Sequence, residues 1–186
     1  MLEYGGKIVN EVLKVIGSRY SCRSYTGEPV EKEKIEAIVL AGVQAPSAVN
    51  AQPWKIIVVQ DKAMIDAMDV CGMEMFKNQA DQTVYNRMMS RGGKFLYNAP
   101  CMIVVAIKEG TQLDCGIVVE NMALAATSLG LGNVICGMAR VPLSKPEYKD
   151  VILPEGYVFG TSLLVGYATS EGTPHVPDMD KITYIG

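Results

Sequence analysis

Apolar residues recur at helical spacing near the start of the chain, at Ile8, Val12, Val15 and Ile16, with charged residues largely between them. That pattern predicts a helix over residues 7–17. Thr26-Gly27-Glu28-Pro29 reads as a turn, and a second helix follows it, with Glu31 and Glu33 in its first turn, Ile35, Ile38 and Val39 on one face, and Pro46 as its end. Residues 55–60, 102–107 and 163–165 are short apolar runs rich in β-branched side chains, as in strands buried on both faces. They are expected to form the middle of one sheet with helices on both sides. Between the first two, residues 63–77 and 81–96 have helix-forming composition, the latter broken at Gly92-Gly93.

The longest helical signal covers residues 114–129 and ends in Gly130-Leu131-Gly132; apart from Glu120 and Asn121 it is apolar on most faces, which requires burial. A short strand and loop over 134–138, a short helix over 144–151 and a last core strand over 159–167 complete the core. The tail, residues 168–186, is rich in Gly, Pro and polar residues until Lys181-Ile182-Thr183-Tyr184-Ile185, which alternates like an edge strand. No internal repeat is present. The expected organisation is one domain over 1–186, with its core in about 1–167.

Composition changes this picture in two ways. Hydrophobic residues make up 49% of the 186 positions, more than one small core needs, so some apolar surface is expected to meet a second subunit. A formal net charge of −3 and a pI near 5.2 argue against nucleic acid or an anionic membrane as partner, so any anion site must be local. The five cysteines lack the close pairs of a zinc site, and no metal is expected. Glu3, Lys7, Asn10, Glu11 and Lys14 interrupt residues 1–20, so no secretory signal is expected. Residues 117–131 contain Glu120 and Asn121 and fall short of the ~20 apolar residues that cross a bilayer. Cytoplasmic location with reduced thiols fits these features.

Two stretches carry candidate chemistry. Ser18-Arg19-Tyr20-Ser21-Cys22-Arg23-Ser24-Tyr25 gathers two guanidiniums and several hydroxyls, donors suited to a phosphate. If the run continues the first helix, Arg19 and Arg23 share a face; if the chain has left the helix, an irregular turn converges them with Ser21. Two arginines at a helix end also serve simply to favour its negative pole. The second stretch, Ala45-Pro46-Ser47-Ala48-Val49-Asn50-Ala51-Gln52-Pro53-Trp54, reads as an irregular loop presenting backbone N–H groups with the Asn50 and Gln52 side chains, or as an ordinary helix-to-strand connection.

Together these stretches resemble the FMN-dependent nitroreductase family, through Arg19, Ser21 and Arg23, then Pro46, Ser47, Asn50, Gln52, Pro53 and Trp54. Asp114-Cys115-Gly116 and Leu129-Gly130-Leu131-Gly132 resemble that family's Asp-x-Gly and Gly-Leu-Gly signatures. The resemblance implies an α+β, three-layer α/β/α fold with a mostly antiparallel central sheet and a C-terminal tail exchanged between subunits. It implies a homodimer with flavin sites at the interface, the 114–129 helix at its centre. FMN contacts are expected from Arg19, Tyr20, Ser21, Arg23, Pro46, Ser47, Asn50, Gln52, Ile135, Cys136 and Gly137. Gly137 permits close approach of backbone to a planar ring. Many relatives carry an acidic residue where this chain has Cys136, which also reads as a plain buried thiol. His175 and Lys181 are the tail candidates for the phosphate. Met73, Met75, Phe76, Tyr85, Met88 and Met89 form either an adaptable substrate wall or core filling.

The function so implied is FMN-dependent transfer of electrons from NADH or NADPH to a small nitroaromatic or quinone-like acceptor, by ping-pong hydride transfer. There is no Gly-x-Gly-x-x-Gly for a separate nicotinamide domain. No catalytic side chain is expected, since the flavin N5 carries the hydride. The alternatives are a specialised flavin enzyme of the same family, a dehalogenase or dehydrogenase, and a non-catalytic flavin-binding protein.

Overall fold

The computed structural model describes residues 10–186. Residues 7–9 of the expected first helix lie outside them. Helix α1 (Glu11–Ser18) begins where the Asn10 side chain accepts the Leu13 N–H at 3.0 Å, and it stops at Arg19, whose backbone is already extended. The other helices are α2 (Lys32–Val43), α3 (Lys62–Lys77), α4 (Thr83–Met89), α5 (Gln112–Ser128) and α6 (Pro146–Ile152). Strands β1 (Trp54–Val59), β2 (Cys101–Ile107), β3 (Gly132–Ile135) and β4 (Val158–Gly166) form one sheet in the order β1-β2-β4-β3, with every neighbouring pair antiparallel.

Side-chain alternation along the middle strands builds the layers. Met102, Val104 and Leu164 face a cluster with Ile65 and Met68 of α3, Met88 of α4, and Phe95 and Leu96. Ile103, Val105 and Leu163 face the opposite way, onto Ile38 of α2 and Val118 and Met122 of α5. Each such fully buried side chain contributes about 1.5–3 kcal/mol of transfer free energy. The result is the expected α+β sandwich of helices about an antiparallel sheet.

Four elements differ from the sequence reading. The run that became β1 is apolar enough for a central strand, but it lies at the sheet edge, with Ile56, Ile57 and Val58 only half-buried; the middle of the sheet is β2 and β4. The helix expected over 81–96 ends at Met89. Gly92 and Gly93 take left-handed φ values of +94 and +72, and the Asp69 carboxylate accepts the N–H groups of Phe95 (2.9 Å) and Leu96 (3.2 Å), drawing that backbone away from helix geometry. Helix α5 is buried on one side only; Leu113 is 80% exposed. Finally, residues 181–185 form no strand: a 3-10 turn covers Met179–Lys181, and Tyr184 and Ile185 are exposed. A strand needs a neighbour to take its backbone hydrogen bonds, and the described residues offer none there.

Phe95 packs edge-on against Phe76, ring centroids 5.4 Å apart, directly over Gly72 of α3. A Cβ at position 72 would lie 2.3 Å from the Phe95 ring. Gly72→Ala is therefore expected to destabilise the fold by about 1–3 kcal/mol, overriding the ~1 kcal/mol that alanine gains in a helix. Urea unfolding checks this, and a variant as stable as the wild type or more so would contradict the packing described.

Candidate functional site

The chain leaves α1 at Arg19 and runs as an irregular arm between β3 and the tail. The Cys22 N–H donates to the Asn133 carbonyl at 2.9 Å, and Ser21 and Asn133 form a parallel bridge. The Tyr25 hydroxyl, buried beneath, donates toward the carbonyls of Leu164 and Cys22, both at 3.2 Å. On the other side the Thr169 N–H donates to the Ser24 carbonyl (3.2 Å), and its hydroxyl to that of Ser24 (2.8 Å).

Two glycines of the Gly130-Leu131-Gly132 run explain how the arm reaches β3. Gly130 adopts φ +75 just past the end of α5, a left-handed cap. Gly132 leaves room for Cys22, whose sulfur would lie 2.7 Å from a Cβ there. The side chain of Asn133 ties β3 back to α5, donating to Ala123 (3.1 Å) and Thr127 (2.9 Å).

A cavity of ≈ 510 Å³ opens beside the arm, lined by Arg19, Tyr20, Ser21, Cys22, Arg23 and Ser24 together with Ser170, Glu171, Gly172, Thr173 and His175. Arg19 and Arg23 thus converge across an irregular turn, not on a helix face. Among the described residues the ion pairs use only Lys14, Lys32, Lys34, Lys62, Lys94 and Lys181, so neither guanidinium has a carboxylate partner. Such unpaired, half-fixed cations are free to hold an anion. The two tail candidates part here: His175 lines the cavity, while Lys181 lies 3.7 Å from Asp178.

The Pro46–Gln52 stretch contributes nothing to this cavity. It is strained instead: Val49, Asn50 and Gln52 have φ values of 48, 55 and 45, and Val49, a β-branched residue, is 99% exposed. The Ser47 hydroxyl accepts the Gln52 N–H at 2.9 Å, and Asn50 Oδ1 accepts from Gln52 Nε2 at 3.2 Å. Strain of this kind persists where the surroundings over-determine it and concentrates at ligand clamps.

The third candidate segment follows β3. Ile135 is 41% exposed, Cys136 is buried and Gly137 is exposed. The Cys136 backbone is locked to Ser162 of β4, its N–H donating to the Ser162 carbonyl and its carbonyl accepting the Ser162 hydroxyl, each at 2.8 Å. Burial pushes the Cys136 thiol up to about 11, so it stays protonated at neutral pH and is no nucleophile. A Cβ added at Gly137 would meet nothing within 4 Å. Neither neighbouring atoms nor a left-handed backbone accounts for that glycine, and its bare surface suits a flat ring.

Of the methionine-rich region, Met88 and Phe76 are core, whereas Met73, Tyr85 and Met89 line a second cavity of ≈ 280 Å³. Asp69 borders it, and burial raises its carboxyl above the ordinary range. Its place on the buried face of α3 was legible from its spacing with Ile65, Gly72 and Phe76. Glu171 and Thr173 carry no comparable signal, since they join the cavity only through contacts across about 150 positions of chain. Among the described residues no cluster of three or more metal-ligating side chains occurs.

A sequence model described as the nitroreductase family matches residues 16–151. The chain is 45% identical to a nitroreductase of Desulfitobacterium hafniense DCB-2 crystallised with bound FMN, with a TM-score of 0.93, covering 96% of this chain and 100% of that one. It is 31% identical over 172 residues, 88% of each chain, to an Archaeoglobus fulgidus protein provisionally assigned as an NADH dehydrogenase/NAD(P)H nitroreductase. It is also 30% identical to the FMN reductase [NAD(P)H] of Bacillus subtilis strain 168, covering 91% of this chain and 71% of that protein.

Proposed function

Since the chain belongs to the nitroreductase family, we propose that it is an FMN-dependent oxidoreductase that takes electrons from NADH or NADPH and delivers them to small conjugated acceptors such as nitroaromatics or quinones. The observation that carries this reading is the cavity lined by two guanidiniums that form no ion pair among the described residues. The solved FMN-bound relative at 45% identity supports the choice of cofactor.

Arg19 and Arg23 would hold the 5′-phosphate, with the Ser21 hydroxyl on a remaining oxygen and Tyr20 walling the cavity. Ser47 fixes the strained loop, which in a dimer would present Pro46, Asn50 and Gln52 to the polar edge of the flavin held by the partner subunit. Ile135, Cys136 and Gly137, held by Ser162, offer backbone against the ring face. When bound, FMN would supply the redox chemistry, carrying electrons between reduced nicotinamide and acceptor in a ping-pong order. The chain's own residues bind, orient and place donors where charge develops. A protonated, buried Cys136 fits a role in packing and not in proton transfer.

The active form in this reading is a homodimer. Leu113 on α5, Val12 and Ile16 on α1, and Tyr184 and Ile185 in the tail are apolar and exposed in the single chain. Residues 168–186 would cross to the partner, and the Pro46–Asn50 loop would reach the partner's flavin. All five cysteines are free thiols, which supports a reducing compartment, the cytoplasm. Among the described residues no helix is long and apolar enough to cross a membrane.

Two outcomes follow. Sedimentation at low micromolar concentration is expected to give a dimer, and a folded, flavin-loaded monomer would contradict the interface. Arg19→Ala or Arg23→Ala is expected to weaken FMN by ~1.5–3 kcal/mol per charged hydrogen bond lost while leaving riboflavin binding nearly unchanged. Equal weakening of both flavins in a binding titration would refute the phosphate assignment.

A further inference from the structure

The second cavity, of ≈ 280 Å³, has apolar walls from Val70 and Met73 of α3 and from Tyr85 and Met89 of α4. Asp69 also lines it and is only 3% exposed. Half of that carboxylate is used. Oδ1 accepts the N–H groups of Phe95 (2.9 Å) and Leu96 (3.2 Å), while Oδ2, equally buried, has no hydrogen-bond partner. Buried carboxylate oxygens are rarely left so, because each gives up its water and gains nothing in return.

No described residue supplies the missing donor. Lys94, beside the bonded N–H groups in sequence, turns to Asp66 at 3.8 Å. Lys77 follows Asp69 by eight residues on α3, which the helix rise makes about 12 Å. A lone water is a poor substitute, since a buried water needs about three polar partners and most of this wall is apolar.

The charge around the cavity favours a cation. Asp66, Asp69 and Glu74 face it against Lys77 and Lys94. Asp66 already engages Lys62 and Lys94, and the exposed Glu74 and Lys77, one turn apart on α3, offset each other. The uncompensated charge is that of Asp69. Methionine and tyrosine side chains suit an aromatic ring, through sulfur contacts and edge or face packing. An apolar cavity of about 150 Å³ holds benzene, so ≈ 280 Å³ has room for a ring with a short aminoalkyl arm.

We infer that this cavity is a binding site for a small protonated amine with an aromatic body, its ammonium donating to Asp69 Oδ2 and its ring lying among Met73, Tyr85 and Met89. The flexible methionine side chains yield to let the ammonium reach an oxygen that lies below the surface. An ammonium there favours the ionised carboxylate and so opposes the burial that raises the Asp69 carboxyl. The site shares no lining residue with the anion cavity, and the inference does not depend on the FMN reading.

The test is a calorimetric titration of 2-phenylethylamine, an alkylammonium at about pH 7, and of its neutral counterpart 2-phenylethanol into the full-length protein, with and without FMN. The amine is expected to bind at least about tenfold more tightly than the alcohol, and FMN should leave that preference unchanged. Asp69→Asn keeps an Oδ1 acceptor for Phe95 and Leu96 but puts an NH₂ in place of Oδ2, and it should erase the preference. Met89→Trp fills the cavity without touching the carboxylate and should abolish binding of both compounds, which keeps the test decisive if Asp69→Asn does not fold; urea unfolding reports the folding of each variant. Equal affinity for amine and alcohol, no amine binding at millimolar concentration, a preference that survives in folded Asp69→Asn, undiminished binding in Met89→Trp, or displacement of the amine by FMN would each overturn the inference and leave the FMN reading standing.

Discussion

Hydrogen bonding along β4 is the constraint on which the candidate site depends. Paired with β2 on one edge and β3 on the other, β4 cannot shift register by one residue without exchanging the side chains fitted to its two packed faces. From it hang the pieces that the site needs. Ser162 locks the Cys136 backbone, the Leu164 carbonyl accepts the Tyr25 hydroxyl beneath the arginine arm, and the chain beyond Gly166 delivers the tail to the cavity. The three segments read as functional come from distant parts of the sequence, one central strand relates two of them, and the Pro46–Gln52 loop stands apart from the cavity.

Packing allowances at single glycines complete that arrangement. Gly132 admits the Cys22 sulfur, and Gly172 admits the Tyr20 ring. Each lets a polar arm lie close to the core without forcing a buried charge. The guanidiniums remain half-exposed or exposed, where a cation costs little to hold and an incoming anion still meets fixed donors. The cavity thus gathers local positive charge in a chain whose net charge is negative, so an anion held here would owe its binding to convergence and not to the overall field.

Much of this was readable from the residues. The helices α2, α3 and α5 and the strands β1, β2 and β4 follow apolar periodicity, and the Arg19–Arg23 and Pro46–Gln52 stretches stand out by donor content and by proline and amide content. What escaped the sequence is what depends on distant neighbours. β1 has the composition of a central strand and sits at an edge because its outer side has no partner among the described residues. The 81–96 segment stops short because Asp69, on another helix, captures its backbone N–H groups. Lys181–Ile185 alternates like a strand yet leaves a 3-10 turn and joins no ladder among the described residues. Glu171 and Thr173 have no local signature at all, and only the fold brings them to the arginines.

The claim that this chain is a flavin-dependent NAD(P)H oxidoreductase is tested most directly by the absorbance of the purified, FMN-loaded protein under anaerobic conditions. Addition of NADH or NADPH is expected to bleach the bound flavin, and a nitroaromatic or quinone added afterwards should restore the oxidised spectrum. Flavin that stays bound and oxidised in the presence of both reduced nicotinamides would contradict the account and leave a flavin-binding protein without turnover.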